Sequence, residues 1–139
     1  MDATVPADKV LIVGEDDIVA ARQRARELAK QLGFGLVDQS RIATAVSELA
    51  RNVVRYAVDG RGEVTIRAVT GQSAATGLEV VVSDEGPGIA NVEDALREGF
   101  TSGGGLGMGL PGTRRLMDEM AIDSALGRGT TVTIRKWRR

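Results

Sequence analysis

The chain has 139 residues, 42% of them apolar, and this length and composition predict one globular domain over residues 1–139. Its formal net charge of −1 excludes a general attraction to nucleic acid. It contains neither histidine nor cysteine, which excludes imidazole acid–base chemistry, thiolate nucleophiles, disulfides and cysteine-ligated zinc. No apolar run approaches the ~20 residues that span a bilayer and the start, MDATVPADKV, lacks a signal-peptide layout, so we expect a cytoplasmic protein without a membrane partner.

The first part of the chain predicts a strand followed by two helices. Residues 10–13 form a short apolar run typical of a strand, and Asp16 or Asp17 is placed to cap a helix that ends at Gly33. Asp38 is the predicted cap of a second helix, which should end near residues 56–57. Helical spacing places four apolar residues on one face of that helix: Ile42, Val46, Leu49 and Val53.

The remaining chain predicts a strand-rich half. Strands at residues 63–69 and 78–83 flank GQSAATG, which is typical of a hairpin loop. A short helix is expected around VEDALREGF and a longer one from about residue 110 to residue 120. Strands at 121–125 and 131–137 then surround a turn at Gly127 and Gly129. This order predicts an α/β sandwich, with a mixed, largely antiparallel sheet that carries its helices on one face.

Two polar residues lie one turn apart on the second predicted helix, at the flank of its apolar face. Glu48 and Asn52 are four residues apart and therefore share a side of the helix. A carboxylate can accept a proton from a hydroxyl or water, and an amide oxygen can ligate Mg²⁺. On the helix alone, a solvated polar face on which Glu48 pairs with Arg51 is the favoured explanation of the same residues, because surface ion pairs are common on helices.

The stretch SDEGPGI follows a β-branched strand, so Asp84 lies where the chain leaves the sheet. Gly86 and Gly88 would allow a turn and a close approach to a flat ligand. An aspartate there can accept a hydrogen bond from an exocyclic amine such as that of adenine. An ordinary turn remains an alternative, because aspartate, glycine and proline favour turns for local reasons.

The glycine-rich stretch TSGGGLGMGLPG, residues 101–112, precedes a predicted helix and suits phosphate binding through backbone N–H groups. Its GMGLPG part matches the G-x-G-x-x-G dinucleotide fingerprint, but it follows a loop rather than a strand, and only residues 113–139 remain after it. A Walker-type loop is excluded because the chain has no Gly-Lys pair. A mobile lid or hinge is compatible with phosphate binding.

Three of these stretches together resemble the GHKL ATPase and kinase superfamily, which has the Bergerat fold. SELARN resembles its N box, DEGPGI its D-x-G-x-G box and GGGLGMGL its second glycine box, while GRGT resembles the closing Gly-x-Gly-Thr. The boxes occur in the family's order. The resemblance implies an α/β sandwich that binds ATP and Mg²⁺.

The resemblance also implies roles for individual residues. Glu48 corresponds to the general base, Asn52 to the Mg²⁺ ligand and Asp84 to the residue that binds adenine, supported by Gly86 and Gly88. The phosphate loop corresponds to Gly103, Gly104, Gly105, Leu106, Gly107, Met108 and Gly109, and Thr130 corresponds to the threonine near the adenine pocket. No lysine occurs from residue 90 to residue 109, where related ATPases place a phosphate-binding cation, although Arg97 lies there.

Within the superfamily, the chain is similar to the RsbT-like switch kinases, relatives of the anti-sigma kinases RsbW and SpoIIAB. The similarity lies in DIVAARQRARELAKQLGF, DQSRIATAVSELARN and SGGGLGMGLPGTRRLMDEM, and in the KW near the end. It implies phosphorylation of a serine or threonine on a STAS-domain partner, and activation of a PP2C-type phosphatase after release. An anti-sigma factor that binds a sigma factor, or a nucleotide-binding scaffold, is the alternative.

Overall fold

The computed structural model describes residues 7–85, 110–124 and 129–139. In chain order, its elements are β1 (Asp8–Ile12), α1 (Glu15–Gln31), α2 (Leu36–Tyr56), β2 (Gly62–Thr70), β3 (Thr76–Asp84), α3 (Leu110–Leu116), β4 (Glu119–Ser124) and β5 (Thr130–Trp137). Two short 3₁₀ turns, Val58–Gly60 and Gln72–Ala74, precede β2 and β3. None of the helices described is long and apolar enough to cross a membrane.

The five strands form one sheet in the order β1-β2-β3-β5-β4. All four pairings between the described strands are antiparallel, and the hairpin predicted at GQSAATG joins β2 to β3. The helices cover one face of this sheet. The predicted class, an α/β sandwich with a largely antiparallel sheet and helices on one face, is therefore confirmed.

The core lies between the helices and the covered face of the sheet. Strand residues that point towards the helices are fully buried, including Ile12, Ile66, Val80 and Ile134. From the opposite layer, the predicted apolar face of α2 is buried at all four positions: Ile42, Val46, Leu49 and Val53. Buried alanines on α1 at a spacing of four residues let that helix pack closely: Ala21, Ala25 and Ala29.

The predicted caps of both long helices were wrong by a few residues. Gly14 is the N-cap of α1, and the Asp17 carboxylate reaches back to accept hydrogen bonds from the backbone N–H groups of Val13 and Gly14, at 2.8 and 3.1 Å. Helix α2 begins directly after Gly35, so Asp38 lies in its first turn. The chain reverses at Gly33, whose φ is +89°, and this tight reversal brings the helix start forward.

The third described helix is shorter than predicted, because the chain joins the sheet before residue 121. Helix α3 ends at Leu116, and the Asp118 N–H then donates to the Arg135 carbonyl on β5. Strand β4 consequently begins at Glu119 and not at residue 121. The short helix predicted around residues 92–100 and the turn at Gly127 lie outside the described residues.

Candidate functional site

A narrow crevice of about 20 Å³ opens between α2 and the end of the sheet where β3 ends and β5 begins. Two sequence-predicted site residues from separate parts of the chain, Asn52 and Asp84, line it together with Thr130. The remaining walls are apolar: Leu49, Val53, Val82, Leu110 and Val132. The structure therefore brings these three predicted residues to one place, although 32 and 46 residues separate them along the chain.

The sheet end of the crevice is one cross-strand row, which we call the site row: Gly62, Asp84, Thr130 and Ser124. A side chain at Gly62 would come within 2.8 Å of Val53 Cγ1 and would also contact the end of β3. Gly129, whose φ is +81°, lies so close to Asp84 that an added Cβ would collide with the Asp84 carbonyl oxygen. Asp84 is thus positioned by strands that approach closely on both sides.

The Thr130 side chain is held in place by β4. Its hydroxyl lies 2.9 Å from Ser124 Oγ, which also donates to the Gly129 carbonyl at 2.9 Å. Thr130 is buried. Sequence reasoning missed both Ser124 and Gly62, because their role depends on which strands are neighbours.

Glu48 lies one turn before Asn52 on α2, as the spacing predicted. Arg51 Nη1 donates a hydrogen bond to Glu48 Oε1 at 2.9 Å, so the ion pair that was the alternative explanation of this face is present. Both side chains are half-buried, with 39% of Glu48 and 32% of Arg51 exposed. An ion pair with this exposure leaves the carboxylate in reach of a partner at the surface.

The residues of the crevice fit a magnesium nucleotide in their chemistry. Apolar walls with one carboxylate and one hydroxyl suit a flat purine, whose exocyclic amine needs an acceptor. The described residues contain no cluster of three or more acidic side chains that could hold a metal on their own. Asn52 would therefore share Mg²⁺ with phosphate oxygens and water, as is usual for this ion.

The predicted glycine residues of the site, Gly86, Gly88 and Gly103–Gly109 with Leu106 and Met108, lie outside the described residues, as does Arg97. Their assignment to the phosphates stays a prediction from sequence. Of the site residues predicted from the sequence, the structure describes Glu48, Asn52, Asp84 and Thr130.

A larger cavity, of about 670 Å³, lies on the face of the sheet that the helices leave open, and another, of about 590 Å³, lies at the end of β1, β2 and β3, where Gly62 and Asp84 line it. The 670 Å³ cavity is lined by a second cross-strand row, which we call the charge row: Arg67, Glu79, Arg135 and Glu119. Both Glu79 oxygens accept 2.7 Å hydrogen bonds, one from Arg67 Nε and one from Arg135 Nε. Burial raises the pKa of Glu79, but these two guanidinium groups outweigh burial and the net pKa is lowered.

The chain matches the family model of the histidine kinase-like ATPase domain over residues 14–136. It is 50% identical over 130 residues to the serine/threonine-protein kinase RsbT of Bacillus subtilis, which covers 94% of this chain and 96% of the relative. It is also 36% identical over 121 residues to the anti-sigma F factor of Caldanaerobacter subterraneus, which covers 84% and 82%.

Solved structures show the same fold. The RsbU and RsbW domains of a Mycobacterium tuberculosis protein superpose with a TM-score of 0.64 at 22% identity, over 96% of this chain and 33% of that one. The histidine kinase domain of a blue-light activated histidine kinase from Erythrobacter litoralis gives a TM-score of 0.51 at 25% identity, over 86% of this chain and 64% of that one.

Proposed function

We propose a function for this chain on the premise that it belongs to the histidine kinase-like ATPase family, within which it is an ATP-dependent protein serine/threonine kinase similar to RsbT. Its acceptor is a serine or threonine on a STAS-domain protein of a cytoplasmic partner-switching module. After release from that partner, the kinase binds and activates a PP2C-type phosphatase. The observation that carries the proposal is the crevice itself, in which Asn52, Asp84 and Thr130 meet beside Glu48.

In this proposal each described residue has one task. Glu48 accepts the proton of the acceptor hydroxyl, and its half-exposed position lets a partner protein reach it. Asn52 ligates Mg²⁺ with its amide oxygen. Asp84 accepts a hydrogen bond from the adenine amine, and Thr130 closes the same end of the crevice.

The bound Mg·ATP would supply the phosphoryl group and the charge of the metal ion. Phosphoryl transfer needs little covalent chemistry from the protein, so positioning, backbone donors and one base are sufficient. The absence of histidine and cysteine from the chain is therefore no obstacle to this activity.

The role of Glu48 is tested with labelled ATP, Mg²⁺ and a STAS-domain protein from the same genome. We expect Glu48→Gln to lower the transfer rate by about 10²–10⁴-fold, the usual contribution of a general base, with nearly unchanged ATP affinity. Label on a serine or threonine with the wild type alone would support both the reaction and the base. Transfer by Glu48→Gln at the wild-type rate would rule out this role.

The role of Asp84 is tested by nucleotide binding without any partner. We expect Asp84→Asn to weaken ATP binding by about 1.5–3 kcal/mol, the value of a charge-assisted hydrogen bond. Glu48→Gln is the matched control, because it also removes one negative charge beside the crevice. Equal ATP affinity of wild type and Asp84→Asn would contradict the adenine assignment.

A second candidate function is favoured by the 36% identity to an anti-sigma F factor. In that case the chain binds a sigma factor and phosphorylates the antagonist of that complex. Size-exclusion chromatography with purified sigma factors of the same genome separates the candidates, since only an anti-sigma factor forms a stable complex with one of them. A nucleotide-binding scaffold would bind ATP and a phosphatase but transfer no label.

A further inference from the structure

The guanidinium group of Arg51 is held beside the crevice by the carboxylate that we propose as base. One of its five N–H donors is used in the 2.9 Å hydrogen bond to Glu48. Arg51 precedes Asn52 in the chain, and Asn52 lines the crevice. The side chain is two-thirds buried although it lies at the flank of α2.

The distances that general-base catalysis requires indicate where the Arg51 guanidinium lies relative to the transferred phosphoryl group. A general base lies about 2.6–3.2 Å from the hydroxyl that it deprotonates, and that oxygen attacks phosphorus from about 3–3.5 Å. The guanidinium of Arg51, 2.9 Å from the same carboxylate, therefore lies on the side of the helix where the proposed base would meet the acceptor and the transferred phosphoryl group. A planar guanidinium can donate two hydrogen bonds to the oxygens of one phosphate group, whereas the ammonium group of lysine fits this geometry less well.

Charge gives a second reason to consider Arg51. The segment from residue 90 to residue 109 contains no lysine and a single arginine, Arg97. Of the other arginines on α2, Arg41 lies about three turns before Asn52 and pairs with Asp38 at 3.0 Å. Arg55 is exposed one turn beyond Arg51. Among the cations of this helix, Arg51 is the one that contacts a proposed catalytic residue.

We propose that Arg51 contacts the γ-phosphate of bound ATP and makes the site prefer ATP to ADP, while its bond to Glu48 orients the base. This inference rests on the proposed role of Glu48. It assigns a recognition and catalytic task to a residue that periodicity alone would place in a solvated ion pair. The γ-phosphate is the part of ATP that ADP lacks, so the proposal can be tested by binding alone.

The experiment is isothermal titration of wild type, Arg51→Gln and Arg55→Gln with Mg·ATP and with Mg·ADP. We expect Arg51→Gln to bind ATP about ten- to a hundredfold more weakly, as for loss of a charged hydrogen bond, and to bind ADP within about twofold of wild type. Arg55→Gln, which removes the same charge one turn away, should bind both nucleotides as wild type does. Arg51→Lys should fall between wild type and Arg51→Gln for ATP only.

Two results would overturn the inference: unchanged ATP affinity of Arg51→Gln, or an equal loss of affinity for ATP and ADP. The second result would indicate a change in the whole crevice, and urea unfolding of the same variants would show whether stability had fallen. Because no acceptor protein is present, these titrations do not depend on the partner. If Glu48→Gln transfers label normally, the proposed base fails, whereas the ATP-to-ADP ratio of Arg51→Gln still decides the role of Arg51.

Discussion

The two cross-strand rows of the sheet differ in the size and the charge of their side chains. The site row, from Gly62 to Ser124, has a glycine and short polar side chains, and it meets the crevice on the helix side. The charge row, from Arg67 to Glu119, has four long charged side chains on the open face. The rows cross β3 at Asp84 and Glu79, five residues and roughly 17 Å apart.

Two residues that are an odd number of positions apart on a strand point to opposite faces of the sheet. Asp84, which we assign to ligand binding, and Glu79, which we assign to stability, therefore lie on different faces. Glu79 is 3% exposed and each of its oxygens accepts a hydrogen bond from an arginine, so burial and these two side chains shield it from a ligand. Glycines in and beside the site row instead let the backbone pack closely around Asp84. We infer that the charge row stabilises the sheet, whereas the site row forms a ligand site through close backbone packing.

The largest effect is expected for Gly129→Ala, which tests whether the site row depends on close packing. The backbone has a φ of +81°, and the new Cβ would collide with the Asp84 carbonyl. We expect a loss of about 3 kcal/mol of unfolding free energy, from a left-handed conformation and overpacking together. ATP affinity should fall as well, because Asp84 moves.

Urea unfolding and ATP titration of Gly129→Ala measure both quantities. Gly112→Ala, a helical glycine of α3 whose added Cβ would meet nothing closer than 3.9 Å, is the control and should be as stable as wild type or slightly more stable. Wild-type stability of Gly129→Ala would show that the site row tolerates a side chain.

A smaller effect is expected for Glu79→Gln, which tests whether the charge row serves stability alone. Loss of the buried carboxylate between two guanidinium groups should cost about 2 kcal/mol of unfolding free energy, with ATP affinity unchanged. Glu63→Gln removes an exposed carboxylate 3.6 Å from Lys9 on the same face, and it should cost less than about 0.5 kcal/mol. A fall in ATP affinity with Glu79→Gln would show that the charge row also affects nucleotide binding and would contradict this prediction.

The mildest effect is the pH dependence of that stabilisation. The pKa of Glu79 is lowered in the folded protein, so its contribution is fully present above the unfolded value of about 4.3 and is lost as pH falls through the folded value. The difference in stability between wild type and Glu79→Gln should shrink below about pH 5, by at most about 1.4 kcal/mol per pH unit. Urea unfolding at stepped pH measures it, and a constant difference down to pH 3 would contradict the assignment.

Features that depend on residues close together in the chain could be predicted before the fold was known. Helical spacing predicted the buried face of α2, and it placed Glu48 and Asn52 one turn apart. Apolar and β-branched runs with turn residues between them predicted the strands and the hairpin between β2 and β3. The glycine boxes predicted the family, and the match over residues 14–136 confirmed it.

Which residues from distant parts of the chain lie next to each other became clear from the tertiary structure alone. It placed Thr130 opposite Asp84, put Gly62 and Ser124 in the same row, and showed that Arg51 does pair with Glu48. Glu79 is buried on the open face because Arg135, 56 residues away, covers it. Spacing along the chain fixes which side of an element a residue occupies, whereas strand register is set by long-range packing that no local pattern contains.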